Sequence, residues 1–563
     1  MNIFQKRPFK IRNAEDFEIS KILDIFVNPL DASRSPFDFE NSIIKGEMGS
    51  GKSILLKANY AFYLYSIVPS LLSDEPVILP VQIRLSDYQH IRDPDEIYKN
   101  IIYGVIKGIA KVYSELQSAQ RLMQIHEGMR SLPKSIFQGS RLDNVLGDLV
   151  EMQADAYKAV ITKELGFTSK LKSKFMELGA QFKKTRLKEI TGSRNPGISD
   201  VHAAYEFLLG DFNGSILLLI DEAGSLEKSF FRGGQGTSLF EVIMNQFRTA
   251  EYLRTKIAVY PHSHSDVLVE TRYGDLVYLN ENITDTNGYK RFRERAIGII
   301  DKYVESASRE EYQILDIFDI NPSPDAEGDS LEQVIYASNG NMRRLLSILD
   351  TCMQQAYSEH NGDGKINPTH VAKGLRTHSE SAESIFNAND KEFLNTLAKT
   401  CRSRSTYRFR FPQKAPLLAK FLNKSEEHNL ISITEAGSGR RGTTYEFDYA
   451  FCVNHNIPTH YIKDSERVDK NRSRKTGDWI SRIAQISEEI IEHAHIAGKL
   501  EGEIDHVGYD SGFARTDSGE EYYINRKDVI ESDRNKTFIQ GRRVRFYPVK
   551  YEDSNLAYSI EIL

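Results

Sequence analysis

Cysteine is scarce in this sequence, at Cys352, Cys401 and Cys452 only. An odd number, widely spaced and without paired-ligand spacing, argues against a disulfide framework or a zinc site and fits a reducing compartment. Long apolar runs are missing too. Stretches such as 216–220 are far too short to span a bilayer, so no membrane partner is expected. No long apolar stretch follows the basic residues of MNIFQKRPFKIR, so no signal peptide is read and a cytoplasmic location is expected. Charge of one sign is also absent: 73 basic residues face 79 acidic ones, a formal net of −6. A nucleic-acid surface would therefore have to be a local patch. With 40% hydrophobic and 27% charged residues, the composition is that of a soluble globular protein. A chain of 563 residues exceeds one ordinary core, so two to four domains are expected.

Residues 1–40 read as a lead-in. Ser42–Lys45 is a short β-like run that feeds a glycine-rich loop, and SILLKANYAFYLYSI after it has helical spacing. The run 76–85 is the next strand. A helix-rich, polar insertion occupies about 93–210 and is basic near 170–194; a solvated helical face is the plainer reading of that stretch. The continuous apolar run 215–220 reads as a buried parallel strand, and 257–260 and 276–279 as two more. Strands alternating with helices imply a doubly wound α/β sheet. Helical patterns fill 287–375. Helices at 390–400 and 414–427 then precede a hairpin, 430–435 and 443–449, joined by AGSGRRG. A charged linker (463–477), a helix (479–493) and five short strands within 498–563 complete the chain, the last suggesting a small OB-type β-barrel.

Two motifs carry chemistry. Gly46-Glu47-Met48-Gly49-Ser50-Gly51-Lys52-Ser53 matches the P-loop pattern GxxxxGK[ST] in full. Its glycines let backbone N–H groups cradle phosphate oxygens, and the helix that follows adds its positive end. Lys52 is placed to reach the β- and γ-phosphates of ATP, and Ser53 to ligate Mg²⁺. The partner motif is ILLLIDE: Asp221 would hold Mg²⁺ through water, and Glu222 would orient or deprotonate the attacking water. A DE pair after an apolar strand is weak alone and gains weight because each motif needs the other.

Strand, P-loop and helix, then LLLIDEAG, then GNMRRLLSIL, resemble the AAA+ superfamily of ATPases. Gly340-Asn341-Met342-Arg343 resembles its second sensor, in which Arg343 would reach the γ-phosphate from a helical lid. The segment ILDTCMQQAYSEHNGDGKINPTHVAKGL resembles the lid helices of the origin-recognition-complex initiator clade. Bacterial relatives of that clade, associated with stress or anti-phage defence, also resemble the opening KIRNAEDFEISKILDIFVNP. The resemblance covers about 7–375 and implies an AAA+ core at 1–285, a lid at 286–380 and a winged helix at 381–462. It also implies a first sensor after the strand 257–260. The family's usual Asn is absent there, leaving His262 or Ser263. The pair His262 and His264 reads as an ordinary polar loop rather than a metal site. An arginine finger acting on a neighbouring subunit falls on Arg272, though a surface arginine reads the same way; with it comes the expectation of a homo-oligomer.

The charged linker and helix occupy 463–497 and the barrel 498–563. GKLEGEIDHVGYDSGFARTDSGEEYYINRKDVI and GRRVRFYPVKYEDSNLAYSIEIL resemble a cold-shock domain. That resemblance puts base-stacking aromatics at Phe513 and Tyr523. Arg515 stands where a second aromatic is usual, and Asn525 where His is usual; an OB barrel used for protein contact remains the alternative. In the hairpin, Arg440 and Arg441 at the tip would grip phosphate, with RSRSTYRFR (402–410) adding contacts. Together these readings describe an ATP-hydrolysing protein that engages DNA or RNA, with a role in bacterial defence. The alternatives are a nucleotide-gated scaffold for a separate effector protein and a DNA-loading initiator.

Overall fold

The computed structural model describes residues 3–30, 34–73, 76–91, 93, 95–106, 108–109, 197–209, 214–223, 239–260, 274–281, 283, 286–308, 312–319, 329–360, 364–410, 418, 421, 429–435, 443–458, 483–486, 499–508, 511–533, 535–551 and 554–563. The chain divides into two compact units. One comprises Ile11–Asn280 with Ile297–Ser306; the other comprises Met1–Lys10, Glu281–Ala296 and Ala307–Leu563.

The first unit is built on a five-stranded parallel sheet. Its strands are β1 (Ser42–Lys45), β2 (Val77–Arg84), β3 (Gly214–Asp221), β4 (Leu253–Val259) and β5 (Asp275–Tyr278), in the order β2-β3-β4-β1-β5. Helices α1 (Lys52–Ser73), α2 (Ile198–Leu209) and α3 (Leu239–Arg248) accompany it. The apolar run of β3 is continuous because both faces of the strand are covered. Leu217 and Leu219 pack with Leu55 and Leu56 of α1, while Ile216, Leu218 and Ile220 pack with Phe240 and Met244 of α3. Each such side chain contributes about 1.5–3 kcal/mol by leaving water. Most of the expected insertion, 110–196, lies outside the described residues.

The second unit holds helices and two β systems. Helix α4 (Thr286–Ala307) runs through both units; α5 (Ser330–Ala337), α6 (Met342–His360), α7 (Pro368–Glu383) and α8 (Ala388–Ser403) follow. Helices α6 and α7 meet closely: a Cβ on Gly374 would stand 2.6 Å from the Cys352 sulfur. Burial pushes that thiol up to about 12, which keeps it unreactive. Residues 1–10 are not part of the sheet unit's lead-in. Arg7 forms a bidentate pair with Asp350 of α6, at 3.2 and 2.7 Å.

Strands β6 (Arg408–Arg410), β7 (Ile431–Glu435), β8 (Thr444–Phe447) and β9 (Ile483–Gln485) form a sheet in the order β7-β8-β6-β9. Two sequence expectations change here. Within the helix expected across 479–493, Ile483–Gln485 is instead a strand parallel to β6, and the rest of that range, Ile486 apart, lies outside the described residues. Ala484 and Ile486 are buried and Gln485 between them is exposed, the period-two pattern of a strand. The arginines of β6 are also engaged within the sheet, Arg408 with Glu446 at 3.2 Å and Arg410 with the Thr444 hydroxyl at 3.2 Å. After β8, Asp448 caps the short helix α9 (Tyr449–Asn454) by accepting from the Ala450 and Phe451 N–H groups. The same carboxylate pairs with Arg344 of α6, and both side chains are buried. Finally, β10 (Leu500–Val507), β11 (Ser511–Thr516), β12 (Glu521–Asn525), β13 (Arg543–Tyr551) and β14 (Ser554–Ile562) close into the expected five-stranded barrel, in the order β10-β11-β12-β14-β13.

Candidate nucleotide site

The site lies at the carboxyl ends of β1, β3 and β4, where open parallel sheets bind ligands. Strand β1 runs straight into the glycine-rich loop. The Gly46 N–H continues the ladder by donating to the Val259 carbonyl at 3.3 Å, and the Glu47 N–H donates to Asn280 Oδ1 at 2.9 Å. The chain then turns through Gly49 (φ 83°) and Gly51 (φ 98°), in the left-handed region that favours glycine. Helix α1 starts at Lys52, and the Leu55 N–H donates to the Gly51 carbonyl at 2.9 Å. The Lys52 ammonium is buried inside the loop. It donates to the carbonyls of Gly46 (2.5 Å) and Glu47 (2.7 Å) and stands 4.2 Å from the centre of the Tyr260 ring.

Two features fit this loop to phosphate. The Ser50 hydroxyl is buried in it with no hydrogen-bond partner, a donor that an anion would satisfy. The floor of the loop is also too tight for any side chain at Gly46, where a Cβ would stand 2.2 Å from Ser50 Oγ.

The second motif arrives from β3. Asp221 is buried, accepts from the Ser53 hydroxyl, and accepts from the Glu222 N–H at 2.7 Å. Burial raises its pKa, while those hydrogen bonds and the nearby Lys52 pull the other way. Ser53 and Asp221, the two proposed Mg²⁺ ligands, are thus brought into contact from different elements.

Glu222 adopts φ 59°, a strained conformation for a non-glycine residue. Its carboxylate accepts a hydrogen bond from the Ser86 hydroxyl. Ser86 lies in the turn Leu85–Tyr88 that follows β2, and Arg84 at the end of β2 is in register with Asp221. Sequence reasoning missed both Ser86 and Tyr260. Only the pairing of β2 with β3, and the approach of β4 to the loop, identifies them.

Arg343 stands in the first turn of α6, which belongs to the second unit. His262, Ser263, His264, Arg272, Arg440 and Arg441 fall outside the described residues. On the barrel, Phe513 and Tyr523 are cross-strand neighbours with ring centres 5.8 Å apart, edge to face. Arg515 is ion-paired to Asp505 at 2.7 Å and Glu521 at 2.6 Å.

No family model matches the chain, and no curated protein matches it. Among solved structures it is similar to the Orc1 protein of Aeropyrum pernix in complex with DNA. The identity is 12% and the TM-score 0.31, over 74% of this chain and 86% of that one. It is also similar to the Drosophila origin recognition complex bound to DNA, at 10% identity and a TM-score of 0.28, over 79% and 93% of the two chains. Likeness at this level establishes neither family nor activity. No described helix is long and apolar enough to cross a membrane.

Proposed function

We propose that this protein binds and hydrolyses ATP at the loop 46–53, as a P-loop ATPase of AAA+ type. The observation that carries the reading is the meeting of Ser53 with Asp221 beneath a loop whose buried Ser50 hydroxyl lacks a partner. Bound MgATP supplies a phosphoryl group that can pass to water. The residues of the chain do the rest. Backbone N–H groups of the loop and the Ser50 hydroxyl bind phosphate oxygens, and Lys52 exchanges its carbonyl partners for phosphate charge. Ser53 would hold the metal directly and Asp221 through water. Glu222 takes the proton of the attacking water, and Ser86 keeps its carboxylate in place.

Arg343 and Arg272 are proposed to stabilise transferring charge, Arg343 from the lid and Arg272 from a neighbouring subunit. The sheet β7-β8-β6-β9 with α8 is proposed as a winged helix, with Arg440 and Arg441 at the tip of its hairpin as phosphate contacts to DNA or RNA. A defence role would add a separate effector protein to these partners.

Two variants test the core of this reading. Lys52→Ala should weaken binding of a fluorescent ATP analogue. Glu222→Gln should bind it as the wild type does but lose turnover by at least about a hundredfold. Equal turnover in wild type and Glu222→Gln would refute the assignment.

A further inference from the structure

Among the described residues of the barrel, exposed Phe513 and half-buried Tyr523 lie on its acidic half. Residues 500–525, which include β10, β11 and β12, contain seven acidic residues against Arg515 alone, a net of −6; residues 526–563 contain eight basic against six acidic. The strand register arranges the outer face in rows. His506, Phe513 and Tyr523 are neighbours across the three strands, and the next row is Glu503, Arg515 and Glu521. Phe513 is 44% exposed. Arg515 on this face is already shared by Asp505 and Glu521. The nearest arginines of β13, Arg543 and Arg545, are engaged by Glu501, Asp517 and Glu561.

This pattern works against nucleic acid. Single-strand binding combines aromatic stacking with a positive groove that follows the phosphates, and phosphate neutralisation supplies much of the affinity. Here a phosphate chain laid beside the rings would meet carboxylates, and Arg515 would have to leave two of them. A cationic side chain meets the opposite situation. The face of an aromatic ring attracts an ammonium or guanidinium, and the flanking carboxylates pair with the next one along an extended strand.

We infer that the outer face of β10–β12 is a docking surface for an extended, arginine- or lysine-rich protein segment. Charge complementarity selects that partner. Phe513 and Tyr523 form the central contact, and Glu503, Asp505 and Glu521 form the charged rim.

The test uses the full-length protein and two fluorescein-labelled probes, a dodecapeptide of alternating arginine and glycine and a dodecamer of uridine, read by anisotropy at low and high salt. The wild type should bind the peptide more tightly than the oligonucleotide. Phe513→Ala with Tyr523→Ala, which leaves the charge unchanged, should weaken the peptide by about tenfold. Glu503→Gln with Glu521→Gln should weaken it and flatten its salt dependence, and this pair decides the matter if the alanine pair lowers the melting temperature. Oligonucleotide binding that the alanine pair abolishes would overturn the inference in favour of a nucleic-acid surface. Peptide binding that neither pair alters, or no binding at about 100 µM protein, would overturn it outright.

Discussion

The two glycines that frame Lys52 should fail for different reasons when replaced by alanine, and only one failure should be curable. At Gly46 the obstacle is a neighbour: a new Cβ would stand 2.2 Å from Ser50 Oγ, 3.2 Å from Ser50 Cβ and 3.3 Å from Leu279 Cβ. Overpacking of this kind costs about 1–3 kcal/mol. Charged against the loop's nucleotide-ready shape, that raises the Kd for ATP about 5- to 150-fold. Removing the Ser50 side chain takes away the two contacts to Ser50 and leaves the 3.3 Å approach to Leu279 Cβ, which a shift of a few tenths of an ångström relieves. Gly46→Ala with Ser50→Gly should therefore bind far better than the product of the two single effects, with a coupling of about 1–2 kcal/mol. At Gly51 no atom lies within 4 Å of the added Cβ, and the backbone sits at φ 98°. Gly51→Ala should lose about 1–2 kcal/mol from backbone strain alone, and Ser50→Gly should restore nothing. The assay is titration of a fluorescent ATP analogue against the three single variants and both doubles. Simple additivity of Gly46→Ala and Ser50→Gly would refute the steric account.

Two further outcomes follow from other contacts. Ser86→Ala removes the hydroxyl that donates to Glu222; kcat should fall about tenfold with nucleotide affinity unchanged, and an unaltered kcat in a steady-state ATPase assay would remove Ser86 from the site. Glu383 accepts hydrogen bonds from Ser379, Asn454 and His455, which hold its pKa below the ordinary 4.5 despite its burial. A carboxylate lowered in the folded state contributes stability above its unfolded pKa and loses it as the pH falls through the folded one. The Tm advantage of wild type over Glu383→Gln should thus be full above about pH 5 and shrink in acid; an advantage independent of pH would contradict the pairing.

The five strands of the parallel sheet, the loop 46–53 and the five barrel strands were legible in the sequence, because each rests on local rules. An apolar run buried on both faces, glycines at tight turns and period-two alternation are written in neighbouring residues. The tertiary structure alone decided which residues share the site. Ser86 reaches Glu222 because β2 pairs with β3, and Tyr260 meets Lys52 because β4 lies beside β1. The strand at Ile483–Gln485 was hidden for the same reason: its isoleucines suit a helix or a strand, and the free edge of β6 made the choice. Charge around the barrel aromatics was likewise invisible in a net count near neutrality. Register across β10, β11 and β12 sets Glu503 and Glu521 on either side of Arg515. Periodicity is carried by adjacent bonds, whereas partners are chosen by packing between segments far apart in the chain.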